Sequence, residues 1–272
     1  MALPGIAHAA TGAPALVALE QKTGTRIGVA ALDTGNSRIL SWREGESFVM
    51  CSTFKLSLAA AVLARVDRGT ETLDRLVQYD KPTLGVSPET LKNWPHGMTI
   101  AQLCRAAMIY SDNTAANVLL AAIGGPQSVT EFWRSLGDMT SRLDDIEPKL
   151  NLPSRFANSA TPTAMLADLK QMLLGNALAP ASRARLLGWM HDNTTGGAML
   201  RAGLPRAWQV GDKTGRWNGD TNACATNDLA IITPPGRKPI LAVCYTQRGP
   251  EDPDARAAVV AVVGKILADM FA

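Results

Sequence analysis

Histidine is scarce in this 272-residue chain: the three copies, His8, His96 and His191, lie far apart. None of them belongs to a motif with a serine or cysteine nucleophile, which argues against a Ser-His-Asp triad. The four cysteines, Cys51, Cys104, Cys224 and Cys244, form no C-x-x-C pair. Zinc is therefore not expected, nor is any other metal or cofactor, and cysteines so placed read first as small buried hydrophobes. No apolar run reaches membrane-spanning length. Residues 1–16 lack the charged segment and the continuous apolar core of a signal peptide. The net charge is only +3, with Lys and Arg scattered and no basic stripe, so no nucleic-acid partner is expected. There is no internal repeat and no low-complexity segment.

What remains is an ordinary globule, 46% hydrophobic and 19% charged, long enough for one large domain or two interleaved lobes. Residues 13–21 read as a short helix. Residues 26–32 and 37–42 read as strands of a hairpin around Asp33-Thr34-Gly35-Asn36. A helix from Ser52 follows, apolar nearly all round and ended by Gly69. Leu84 to Gly97 contains three turn or loop signals, Gly85, Pro88 and Pro95. Helices are expected over 99–109, capped by Thr99, and over 115–123, 128–136, 162–175 and 181–191. Between them, residues 139–161 form a loop of a length usually reserved for function. Strands are expected over 208–214, 225–233 and 240–246, and a closing helix over 254–271. The fold class is thus α/β (α+β). An antiparallel sheet lobe is built from both termini, residues 1–44 and 193–272, and an all-helical lobe of residues 45–192 is inserted within it.

Ser52 and Lys55 are three residues apart at the head of an apolar helix, so hydroxyl and amine lie one turn apart on one face. A serine hydroxyl needs a neighbour to take its proton, and a lysine in a dry site can do so as the free amine. The helix start adds unpaired N–H groups suited to a developing oxyanion. Ser111-Asp112-Asn113 places a second hydroxyl at a helix junction. Lys213-Thr214-Gly215 ends a strand with a cation, a hydroxyl and a close-approach glycine. Glu147 and Asn151 pair a carboxylate with an amide in the long loop. Lys22-Thr23-Gly24 repeats the Lys-Thr-Gly tripeptide; the second copy is preferred because it follows an apolar strand and comes last in chain order.

Together these motifs, in this order and spacing, resemble the class A serine β-lactamases over nearly the whole chain. The resemblance implies a five-stranded sheet and a site between the two lobes. It implies hydrolysis of β-lactam antibiotics through a serine acyl-enzyme, with no cofactor. Ser52 would be acylated, with Lys55, or Glu147 through a water, as the base. Ser111 would pass a proton to the lactam nitrogen. Lys213, Thr214 and Gly215 would hold the substrate's carboxylate end, and Asn113 its side-chain amide. The N–H groups of Ser52 and Arg216 would form the oxyanion hole, and Glu147 with Asn151 would hold the deacylating water. The start of the chain leaves two readings, a cytoplasmic protein or one whose leader has been removed; a periplasmic or secreted protein is expected, with a monomer as the default. Penicillin-binding peptidases, covalent β-lactam sensors and a scaffold-sharing esterase use related chemistry, and Glu147 with Asn151 favours the hydrolase.

The chain also departs from that family. Asp145 and Asn158 stand where an arginine–aspartate staple closes the long loop, leaving open the loop's path and a cis bond before Pro148. Val86 replaces an entrance aromatic, and the segment 216–223 is longer, placing Trp217 beside the pocket. Thr226 stands where a second cation would be, leaving Arg216 or Arg256 as substitutes. The resemblance also raises a Cys51–Cys224 disulfide, with Cys104 and Cys244 as buried thiols.

Overall fold

In a computed structural model, residues 13–152, 157–219 and 223–272 are described. The readings made for residues 1–12, and for 220–222 within the lengthened segment, lie outside them. Five antiparallel strands form the main sheet: β1 (Arg26–Asp33), β2 (Ile39–Trp42), β3 (Gln209–Trp217), β4 (Ala225–Thr233) and β5 (Ile240–Gln247). Their spatial order is β2-β1-β5-β4-β3, so the two ends of the chain meet in the middle of the sheet, as expected.

Residues 229–232 of β4 and 240–245 of β5 read as unbroken apolar runs because both faces are covered. Leu229, Ile231, Leu241 and Val243 join the helical core, whereas their neighbours Ala230, Ile232, Ile240 and Ala242 join a second core. This is the two-residue period of a strand. The second core is closed by the first helix, α1 (Ala13–Thr23), and by the last, Pro253–Phe271.

The helical core surrounds α2 (Phe54–Asp67), in which every residue from Phe54 to Ala64 is buried. Its alanines let neighbours approach closely, and its buried Ser57 Oγ accepts a hydrogen bond from Trp133 Nε1 at 2.9 Å. Around it pack α4 (Ile100–Ile109), α5 (Asn113–Ile123), α6 (Gln127–Leu136) and α8 (Pro180–His191); α3 (Pro88–Asn93) and α7 (Pro162–Leu173) complete the set. Thr99 caps α4 in a full capping box with Gln102. Asp112 caps α5 and also accepts from Thr90 N and Glu89 N.

Several expectations are corrected. The segment 84–97 is not all loop: Ser87-Pro88 starts α3, with proline in the first turn. The helix expected from Ser52 begins instead as a 3-10 turn, Cys51–Thr53, and becomes α-helical at Phe54. The strand expected to stop at Thr214 continues through Trp217. Within the long loop, Ser159–Ala160 pairs with Phe48–Val49 and ties the loop's exit to the segment before the nucleophile turn.

Candidate active site

The edge strand β3 runs beside the 3-10 turn that carries Ser52. A Cβ on Gly215 would come within 2.7 Å of Met50 O and 3.0 Å of Ser52 N, so only glycine lets strand and turn meet this closely. The turn is reached through Cys51 at φ 48°, and Ser111 and Asn158 also hold positive φ, 57° and 52°. Left-handed non-glycine residues are uncommon and gather at functional sites; of the six among the described residues, these three adjoin or belong to groups singled out from the sequence, and Ser37, Arg43 and Arg248 lie elsewhere.

Lys55 and Glu147 are both buried, and Lys55 Nζ lies 3.2 Å from Glu147 Oε1. Ser52 Oγ donates to that same oxygen at 3.2 Å. The ammonium of Lys55 also donates to Ser111 O at 2.8 Å and Asn113 Oδ1 at 2.5 Å. Burial drives the Lys55 amine below its ordinary range, and the Glu147 charge opposes this. Lys213 Nζ donates to Ser111 Oγ at 3.1 Å and to Thr214 O at 2.8 Å. Burial, then the Lys55 charge, lowers Lys213 to about 7. The Ser111 hydroxyl therefore sits between two buried amines, with Lys55 Nζ 3.5 Å away.

Asn151 Nδ2 donates to Glu147 Oε2 at 2.6 Å, so both carboxylate oxygens of Glu147 are engaged. The Glu147–Pro148 bond is cis, which settles the point left open above. The Asp145–Asn158 pair closes the loop: Asn158 Nδ2 donates to Asp145 Oδ2 at 3.0 Å, and Asn158 Oδ1 accepts from Asp144 N and Asp145 N.

These groups open into a cavity of about 520 Å³ whose lining includes Ser52, Ser111, Asn113, Glu147, Thr214 and Arg216. Val86 and Trp217 stand at its walls, as expected from the sequence, and Val86 is half exposed. Of the two candidate cations, Arg216 lines the cavity. Arg256 is buried, and its guanidinium donates to Pro250 O, Glu251 O and Asn218 Oδ1. The other Lys-Thr-Gly, residues 22–24, ends α1 and takes no part in the cavity. No disulfide is present among the described residues: Cys51 and Cys224 are both buried and are not bridged to one another. Burial pushes the thiols of Cys51, Cys104 and Cys244 upward. No cluster of three or more metal-binding side chains occurs among the described residues.

Three participants were not anticipated from the sequence. Asn117 grips the backbone of Glu147 from both sides, donating to its carbonyl and accepting from its N–H, each at 2.9 Å. Its four-residue offset from Asn113 on α5 places both amides on one helix face, which is a signal the sequence carries. Thr195, whose hydroxyl bonds that of Thr214, and Tyr110, which lines the cavity, have no comparable signature.

The sequence model of the Beta-lactamase enzyme family matches residues 13–271. Beta-lactamase OXY-1 of Klebsiella oxytoca is 42% identical over 93% of this chain and 87% of its own length. Beta-lactamase L2 of Stenotrophomonas maltophilia is 44% identical over 95% of this chain and 85% of its own. Among solved structures, an ancestral class A β-lactamase of Gram-negative bacteria superposes with a TM-score of 0.91 at 50% identity, covering 95% of this chain and 99% of that one. With these matches covering both cores and the residues that line the cavity, the chain belongs to the β-lactamase enzyme family as a class A member, a hydrolase of the β-lactam ring.

Proposed function

We propose that the ring is opened through an acyl-enzyme on Ser52 and that Glu147 serves both halves of the reaction. The observation that carries this reading is the single carboxylate oxygen, Glu147 Oε1, reached by both the Ser52 hydroxyl and the Lys55 ammonium. In acylation, Ser52 Oγ attacks the lactam carbonyl and its proton passes to Glu147, with the buried Lys55 charge holding that carboxylate in place. The C–N bond breaks and Ser111, between Lys55 and Lys213, supplies a proton to the departing nitrogen; Lys55 then relays the proton held by Glu147 to Ser111, which restores both the hydroxyl and the Glu147 carboxylate. In deacylation, water attacks the ester, Glu147 oriented by Asn151 takes its proton, and Glu147 passes that proton to Ser52 Oγ as the ester bond breaks. The net change is one water added across the lactam amide.

Thr214 and Gly215 on β3 take the substrate's carboxylate end, helped by the Lys213 charge, and Asn113 takes the side-chain amide. Arg216 supplies the second cation, because Arg256 is committed to backbone carbonyls and Asn218. The helical part (residues 45–192) and the sheet part (1–44 and 193–272) act as two lobes with the cavity between them. We also propose an exported monomer. No helix among the described residues is long and apolar enough to cross a membrane, and exposed large apolar side chains such as Ile39, Met139 and Val262 are scattered through the chain.

A chromogenic cephalosporin tests the reading. Multiple turnover is expected. A single stoichiometric burst would instead indicate a penicillin-binding peptidase or a sensor, and turnover of simple esters alone would indicate an esterase.

A further inference from the structure

We infer that Asn227 is a positioning residue for the Ser52 backbone N–H, acting by clamping the carbonyls of Val49 and Met50; this rests on the acyl-transfer reading above. Asn227 is fully buried on β4, directly opposite Gly215 of β3 in the sheet register. Backbone pairing of β4 with β5 runs from Ile232 to Asp228, and next to it side chains take over. Thr246 N donates to Asn227 Oδ1 at 2.9 Å, Thr226 N donates to Thr246 Oγ1 at 3.0 Å, and that hydroxyl donates to Thr226 O at 2.6 Å.

With its oxygen held by an N–H, the Asn227 amide must present its NH2 group on the other side. There Nδ2 donates to Val49 O at 2.8 Å and to Met50 O at 3.1 Å. Met50 O also accepts from Thr53 Oγ1 at 2.7 Å and Thr53 N at 3.3 Å. Three donor groups thus converge on the carbonyl that precedes left-handed Cys51. The first hydrogen bond of the 3-10 turn is made by Thr53 N, which leaves the Ser52 N–H outside the turn's own bonding.

The peptide units from Met50 to Ser52 are therefore fixed from two strands at once. Gly215 sets how close the sheet comes, and Asn227 sets which way the Met50 carbonyl points. Rotating that carbonyl rotates the succeeding units and re-aims the Ser52 N–H. A donor for a developing oxyanion must be aimed in advance, and a displacement near 1 Å costs on the order of 100-fold in rate. Asn227 touches neither the Ser52 hydroxyl nor the cavity, so its effect passes through this backbone alone.

The test uses the full chain with Glu147→Gln to retain the acyl-enzyme, with and without Asn227→Ala. Infrared difference spectra read the ester carbonyl stretch, and stopped-flow with a chromogenic cephalosporin reads acylation per folded site. Asn227→Ala is expected to slow acylation about 10- to 100-fold and to move the stretch to higher wavenumber, since the carbonyl loses polarisation. Asn227→Asp keeps the shape. As a neutral acid it can still donate to Met50 O, so acylation should recover at low pH and fall as the acid ionises. If Asn227→Ala does not fold, this isosteric variant carries the test by the same two readouts. An unshifted stretch with unchanged acylation per folded site, even alongside a lowered Tm, overturns the inference and leaves the acyl-transfer reading standing. Absence of any acyl-enzyme on Ser52 in the unsubstituted protein, acid-quenched during turnover and read by mass spectrometry, overturns both.

Discussion

Glu147 Oε1 lies 3.2 Å from Ser52 Oγ, although 95 residues separate the two in the chain. The loop that carries Glu147 is fixed at its foot by Asn158 and at the glutamate itself by Asn117 and Asn151. The carboxylate is therefore held by its surroundings at the hydroxyl, whatever occupies the cavity. The reach of Lys55 to the same oxygen makes the three groups one unit, in which removing a member changes the protonation of the others.

Glu147→Gln removes the base while keeping the volume. Burial of Lys55 then goes unopposed by the carboxylate, so the free amine gains weight and ring opening persists through Lys55. Water loses its proton acceptor. Turnover should fall about 1000-fold, and intact-protein mass spectrometry should show a lasting adduct of one substrate. A variant equally slow but never adducted would show that Glu147 is needed first for ring opening.

Asn158→Ala strips the acceptor from two backbone N–H groups, those of Asp144 and Asp145, and the donor to the Asp145 carboxylate. Each buried group left unpaired costs about 1–3 kcal/mol, and that cost falls on the loop that holds Glu147. Deacylation should slow more than acylation, visible as a larger burst followed by a slower steady state. Equal slowing of both phases would place the effect elsewhere.

The motifs were legible because each packs its chemistry into three to five consecutive residues: Ser52 to Lys55, Ser111 to Asn113, Lys213 to Gly215, Glu147 to Asn151. The five-stranded sheet was legible because residues 229–232 of β4 and 240–245 of β5 are apolar on both faces, and central strands covered on both sides leave few other readings. What escaped is tertiary. Asn227 and Thr195 act across strands or between loops, with nothing beside them in sequence to mark the role. The short α3 was hidden by the glycine and prolines around it, although Ser87-Pro88 is itself a helix-start signal. The onset of α2 was misplaced because the left-handed turn at Cys51 breaks the periodicity just where the chemistry begins.

Lys213 gives the reaction an alkaline limit. Burial, then the Lys55 charge, lowers its ammonium to about 7, so the cation that attracts an anionic substrate is lost as pH rises through that value. kcat/KM should decline accordingly, since it reports the free enzyme, and Lys213→Arg should remove this limb because arginine stays charged. Stability runs the other way. Between about 7 and the usual lysine value the unfolded chain binds more protons than the folded one, so this group favours folding more as pH rises. Melting temperatures of the unsubstituted protein compared with Lys213→Arg isolate this contribution. The unsubstituted protein should gain on the variant as pH rises above about 7 while its kcat/KM falls relative to the variant, whereas parallel melting curves with the same decline in kcat/KM in both would show that Lys213 is not the group lost.

Asp168 on α7 and Asp138 at the foot of the long loop line one cavity of about 500 Å³. Each has a buried carboxylate oxygen with no partner among the described residues. Burial, then the Asp138 charge, raises Asp168 to about 9, with Arg134 opposing. Burial also pushes Asp138 upward, but hydrogen bonds from Ser141 and Thr140 outweigh it and hold that carboxyl low. At neutral pH the pair thus carries one proton, on Asp168. Between the ordinary carboxylate range and about 9, the folded chain keeps a proton that the unfolded chain has released. Stability therefore falls with rising pH across that window, by at most about 1.4 kcal/mol per pH unit, and levels off above it. Asp168→Asn is neutral at every pH and can donate to Asp138, so it should abolish this slope. Melting temperatures measured from pH 5 to 9 should diverge, the variant gaining on the unsubstituted protein at each step. Parallel curves would mean that the two carboxyls do not share their proton in the folded protein.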